Sequence, residues 1–222
     1  MMKNKEKLIR EPHHDFDSLV SIMDILRSDG GCPWDIEQTH QSIRKCLIEE
    51  TYEVVEAIDK NDPILLREEL GDLLFQVMFH SCIENEKGVF SIYDVIDDVS
   101  RKMIYRHPHV FGDTHADTPD AVTRNWDELK KKEKNYKKVS ESLRSVPYHL
   151  PALLKAQKII SKAESKLGYT PDIAGIMGES IAEKVFLMCR EAQREGIDLE
   201  MELGLVTDRF ISCVEDNEII SD

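Results

Sequence analysis

A chain of 222 residues with 29 Lys and Arg against 43 Asp and Glu carries a formal charge of -14, which argues against general binding to nucleic acid or to an anionic membrane. With 41% hydrophobic and 32% charged residues it is a globular composition, long enough to bury one core or one core and a small appendage. Five scattered cysteines without a CxxC pair, and no apolar run of signal or membrane length, predict a cytoplasmic protein that is neither exported nor embedded.

After a polar opening, Phe16, Leu19, Val20, Ile22, Met23, Ile25 and Leu26 repeat with helical spacing and predict a helix from Asp15 to Ser28. Gly30, Gly31 and Pro33 end it and predict an exposed turn that presents Trp34 and Asp35. Next comes a helix starting near Thr39. Lys60 and Asn61 close it, Asp62 suits the N-cap of a second helix and Pro63 its first position, so the pair is expected as an antiparallel hairpin.

Each helix of the hairpin carries two carboxylates three residues apart, Glu50 with Glu53 and Glu69 with Asp72. Projected at roughly 100° per residue, these strips lie about a quarter-turn from two apolar faces. The faces are Leu47, Thr51, Val54, Val55 and Ile58 on the first helix, and Leu66, Leu70, Leu73, Leu74 and Val77 on the second. Four carboxylates are therefore expected to converge at the rim of a core. Crowded like charges raise one another's pKa unless a cation lies between them, and an all-oxygen set suits a hard ion such as Mg²⁺.

Ser91 and Asp94 predict a capping box opening a third long helix, which ends in Lys102 and Arg106, one turn apart on one face. Those cations either complement the helix C-terminus or clamp phosphate beside a metal. The stretch from His107 to Pro119 reads as a loop, in which His107 and His109 are packing or surface residues rather than metal ligands. Thr118 and Pro119 start a helix with Trp126 and Lys130 on one face, and a lysine-rich linker follows. Three further helices complete the chain.

A weak internal echo relates the segment near Leu70 to one near Met177, with Arg101 and Arg209 equally spaced after Gly88 and Gly196. The second copy has no preceding acidic helix. It offers Glu179 where the first has Asp72, but Ile176 where the first has Glu69, so no hydrolytic site is expected from about Gly168 onward.

The segments "GCPWDIEQTHQSIRKCLIEETYEVVEAI", "LREELGDLLFQVMFH", "RKMIYRHPHVFGD", "NWDELKKKEK" and "VPYHLPALLKAQK" together resemble the MazG family of nucleoside triphosphate pyrophosphohydrolases. Glu49, Glu50 and Glu53 match that family's EExxE, and Glu69 and Asp72 its ExxD. The resemblance implies an all-α fold, a MazG-like helical bundle over residues 1–140 with a degenerate C-terminal helical repeat over 141–222. It implies Mg²⁺ dependence (Mn²⁺ as an alternative), homodimerisation and cleavage of a nucleoside triphosphate to the monophosphate and pyrophosphate, in a nucleotide-pool housecleaning role. By motif, Glu50, Glu53, Glu69 and Asp72 would ligate the metal, Lys102 and Arg106 would contact phosphates, and Trp126 and Lys130 would help complete the site. Glu49 or Glu53 would act as the base.

Two rivals use the same features. A di-iron carboxylate bundle wants Glu-x-x-His pairs, and neither Glu50 nor Glu69 has a histidine three residues on. A helical interaction module would use the acidic rim for a basic partner.

Overall fold

The computed structural model describes residues 2–134, 138–167, 178 and 180–219, and every element among them is a helix. Two compact units divide the chain, Met1–Val122 and Thr123–Asp222. No helix among the described residues is long and apolar enough to cross a membrane.

The first unit begins with α1 (Met2–Arg10), a helix where the sequence reads only as a polar opening, and continues with α2 (Phe16–Arg27). Asp15 caps α2 by accepting from Ser18 N at 2.8 Å. The Gly-Pro stretch then differs from the expected exposed turn. It folds into a single short helix, α3 (Pro33–Glu37), and buries Asp35 while leaving Trp34 exposed. The cause lies in Arg27, whose guanidinium donates to the carbonyl of Asp35 and forms a two-pronged pair with Glu86 at 2.6 and 2.9 Å. Gly31 makes the reversal possible, since a Cβ there would sit 2.3 Å from the Leu26 carbonyl oxygen.

Helix α4 (Arg44–Asp59) starts about five residues later than expected, because Thr39 and Ser42 bond each other's backbone N–H groups in a local turn that competes with helix. The turn to α5 (Pro63–Glu86) uses Asn61 at φ +52, and Asp62 N returns to the Ala57 carbonyl at 3.1 Å. Asp62 Oδ1 then caps α5 through Ile64 N and Leu65 N. Ser91 and Asp94 form the expected capping box of α6 (Ile92–Arg106). The loop expected after it contains one further short helix, α7 (Pro108–Phe111), opened by Pro108.

The core gathers Met23 of α2, Ile43 at the start of α4, then Met78, Phe79, Cys82 and Ile83 of α5, and Ile92 of α6. It therefore sits at the C-terminal half of α5, away from the acidic end. Burial pushes the Cys82 thiol up to about 12, so it stays protonated and unreactive.

The hairpin itself packs differently from the projection. Ala57 is fully buried and Gln76 is 7% exposed, whereas Val55, Ile58, Leu70, Leu74 and Val77 remain exposed. The α4–α5 contact runs through the strip that carries the carboxylates. Two helices can approach closely where one offers Ala, so the apolar faces are covered only in part, with Leu47, Val54, Leu66 and Leu73 half-buried.

In the second unit α8 (Pro119–Lys134), which begins at the end of the first, is followed by α9 (Val139–Arg144), α10 (Ala152–Leu167), α11 (Ile181–Glu195) and α12 (Leu199–Ile219). Gly196 ends α11 in the left-handed region at φ +74.

Candidate active site

The antiparallel register of α4 and α5 decides which carboxylates meet. Gln76 Nε2 donates to Glu50 Oε1 at 3.5 Å, and Glu69 feels Glu53 and Glu56, so partners descend along one helix as they rise along the other. The result is that Glu50, Glu69 and Asp72 each place a carboxylate oxygen within 4.8 Å of the others. Glu53 adjoins this trio, its carboxyl being near enough to that of Glu50 to push it up.

Electrostatics match the crowding. Burial, then the Glu53 carboxyl and the Asp72 charge, push the Glu50 carboxyl up, and burial with Glu53, Glu68 and Asp72 pushes Glu69 up. Both shifts penalise the ionised metal-free site. A carboxyl whose folded pKa is raised binds protons more tightly in the native state, so stability falls as pH rises from its ordinary value through the raised one. Glu50→Gln should therefore raise the melting temperature of metal-free protein at pH 7, and the gain should vanish below the ordinary carboxylate range. A thermal melt in EDTA at pH 7 and at pH 4 checks it, and a lower melting temperature at pH 7 would contradict it.

The remaining predicted residues are placed as follows. Glu49 is half-exposed and paired with Lys45 at 2.8 Å, off the strip that carries the acidic trio. Arg106 is buried at 7% exposure, while Lys102, one turn earlier, is exposed. Arg101 pairs with Asp97 at 2.6 Å. Trp126 and Lys130 lie on α8 in the second unit. Ile176 and Glu179 lie outside the described residues.

Histidines do not join the acidic trio. His80 Nδ1 meets His40 Nδ1 at 2.7 Å with the rings stacked, and His40 Nε2 meets Glu84 at 2.6 Å. This cluster, two turns along α5, is a feature the sequence reading missed; spacing of four from Asp72 through Gln76 to His80 and Glu84 was the available signal. His107 is likewise engaged, at 2.7 Å from the Met103 carbonyl.

An all-helical chain that brings carboxylates together from two antiparallel helices, with no histidine or thiol among them, defines a class of hydrolase site whose donors fit a hard divalent cation. The MazG nucleotide pyrophosphohydrolase domain model matches residues 38–111, which contain α4, α5 and α6 whole. The nucleoside triphosphate pyrophosphohydrolase/pyrophosphatase MazG of Thermotoga maritima is 43% identical over 85% of this chain and 71% of its own length. The nucleoside triphosphate pyrophosphohydrolase of Escherichia coli K12 is 39% identical over 86% of this chain and 74% of its own. The uncharacterized protein YabN of Bacillus subtilis is 48% identical over 70% of this chain, which spans only 31% of YabN. The chain belongs to the MazG family of nucleotide pyrophosphohydrolases.

Proposed function

We propose that this chain hydrolyses nucleoside triphosphates to nucleoside monophosphate and pyrophosphate with Mg²⁺, or Mn²⁺ in its place, as a cytoplasmic nucleotide-pool housecleaning enzyme. The observation that carries the reading is the Glu50, Glu69 and Asp72 trio shared by the two helices of the hairpin in a MazG-family chain. Glu50, Glu53, Glu69 and Asp72 would hold the metal, which when bound offsets the triphosphate charge and favours departure of pyrophosphate.

The protein's own groups do the rest. Glu53 is better placed than Glu49 to take a proton from the attacking water, since Glu53 adjoins Glu50 whereas Glu49 is engaged with Lys45. Lys102 and Arg106 would bind phosphate oxygens, and Trp126 with Lys130 would complete the substrate site. The catalytic domain is drawn as residues 1–140, with 141–222 as a C-terminal helical region resembling a truncated second copy.

Phosphorus NMR of a reaction with Mg²⁺ tests the assignment. Equal amounts of monophosphate and pyrophosphate are expected, with turnover lost in EDTA and suppressed by Ca²⁺. Nucleoside diphosphate with orthophosphate as first products would overturn it.

We also propose a homodimer. Tyr52, Val55 and Ile58 of α4 and Leu70, Leu74 and Val77 of α5 form an exposed apolar stripe that a second copy would cover. Light scattering at micromolar concentration should return the mass of two chains, and a monomer mass would contradict the dimer.

A further inference from the structure

The second unit contains a cavity of about 690 Å³, within the size range of small-molecule sites. Arg124 and Lys130 of α8 and Lys158 and Lys162 of α10 line it, against two carboxylates, Glu128 and Asp198. In a chain of formal charge -14 this is a local reversal of sign. Asp198 is already engaged, accepting from Met201 N at 3.1 Å.

The walls are held in place by bonds that do not involve a ligand. Gln157, 6% exposed, donates from Nε2 to the Ile197 carbonyl at 2.6 Å and accepts at Oε1 from Leu199 N at 3.0 Å, fixing the α11–α12 turn to α10. Lys162 Nζ donates to the Ser142 carbonyl and, at 3.0 Å, to Ser145 Oγ, fixing α9 to α10. One group is left over. Ser142, 1% exposed, is one of the residues at the cavity wall, and its enclosed Oγ has no hydrogen-bond partner among the described residues. A buried hydroxyl left without a partner is costly, and a ligand oxygen in the cavity would satisfy it.

We propose that the second unit binds a small phosphorylated anion, of up to mononucleotide size, in this cavity. Arg124 and Lys158 bind its phosphate oxygens and Ser142 Oγ donates to one of them. Cations from two helices together with a hydroxyl from a third suit a tetrahedral, multiply charged group better than a planar carboxylate. With Asp198 engaged as a cap, the cavity offers no converging carboxylates for Mg²⁺, so it binds without metal and without hydrolysis.

Calorimetric titration of the full chain in EDTA at low ionic strength, with inorganic phosphate, pyrophosphate and adenosine 5′-monophosphate as probes, tests this. At least one probe should bind with a Kd below about 1 mM. Arg124→Gln with Lys158→Gln, which leaves in place Lys130 of the proposed substrate site, should weaken it about tenfold or more, as expected for two lost charge-assisted contacts, while helical CD and Mg²⁺-dependent turnover stay unchanged. Ser142→Ala should weaken the same probe without lowering the melting temperature. A nucleotide that outcompetes both inorganic anions marks a nucleotide site, and pyrophosphate ahead of the nucleotide marks a polyphosphate site. No binding by any probe, or affinity that the double variant leaves unchanged, would overturn the proposal. Because EDTA removes any metal-bridged contact at the acidic hairpin, that failure leaves the hydrolysis reading untouched.

Discussion

Asp72→Asn is expected to reduce turnover by about a hundredfold or more, a loss of roughly 2.7 kcal/mol of transition-state stabilisation. The substitution keeps the shape of the side chain and removes one of the three charges gathered in the trio. A hard divalent ion holds to charged oxygens far better than to an amide, so one vacancy in a set this small should be decisive. Folding should be spared, since Asp72 is exposed and contributes no apolar burial. Its charge also helps push the Glu50 carboxyl up, so removing it relieves repulsion in the metal-free protein. Pyrophosphate release, read beside helical CD and the Mg²⁺-induced rise in melting temperature, separates the outcomes. Loss of both activity and the Mg²⁺ effect, with CD intact, is expected. Activity within about tenfold of the parent would show that Asp72 is no ligand of consequence. Glu53→Gln should behave like Asp72→Asn.

Phe79→Ala should cost about 3–5 kcal/mol, a large part of the roughly 5–15 kcal/mol that holds a native domain together. Phe79 is 1% exposed where α2, α5 and α6 meet. Phe75 packs edge-on at 5.8 Å and the Arg27 guanidinium lies 5.2 Å over the ring. Truncation thus leaves a cavity and removes the platform under the cation that ties α3 and Glu86 into the unit. Thermal CD should show the melting temperature lowered by roughly 10 °C or more. Val55→Ala, by contrast, removes a side chain 44% exposed and should cost little in a monomer. A cost for Val55→Ala that grows with protein concentration would mark the stripe it belongs to as an interface.

Helix ends were the most legible feature of this chain, because their signals are local. Asp15, the Asp62–Pro63 pair and the Ser91–Asp94 box each satisfy N–H groups within three residues, and the structure starts α2, α5 and α6 there. The convergence of Glu50, Glu69 and Asp72 was legible for a related reason: spacing places a carboxylate strip on each helix, and a turn of three residues leaves the helices no option but to run side by side.

The orientation of the hairpin was not legible. Periodicity assigns the Leu and Val faces to the core, yet tertiary packing buries Ala57 and Gln76 and leaves Val55, Ile58, Leu70, Leu74 and Val77 exposed, because helix approach is governed by the small residue at the contact and not by the most apolar arc. The burial of Asp35 depended on the reach of Arg27 across from α2, and the cavity of the second unit on which sides of α8, α9 and α10 face one another. Serine is ordinarily a surface residue, so nothing in its neighbours marked Ser142 as enclosed. Periodicity and caps act within one helix and are written in adjacent residues. Which face is covered, and by what, depends on side chains far apart in the chain, and only the assembled helices decide it.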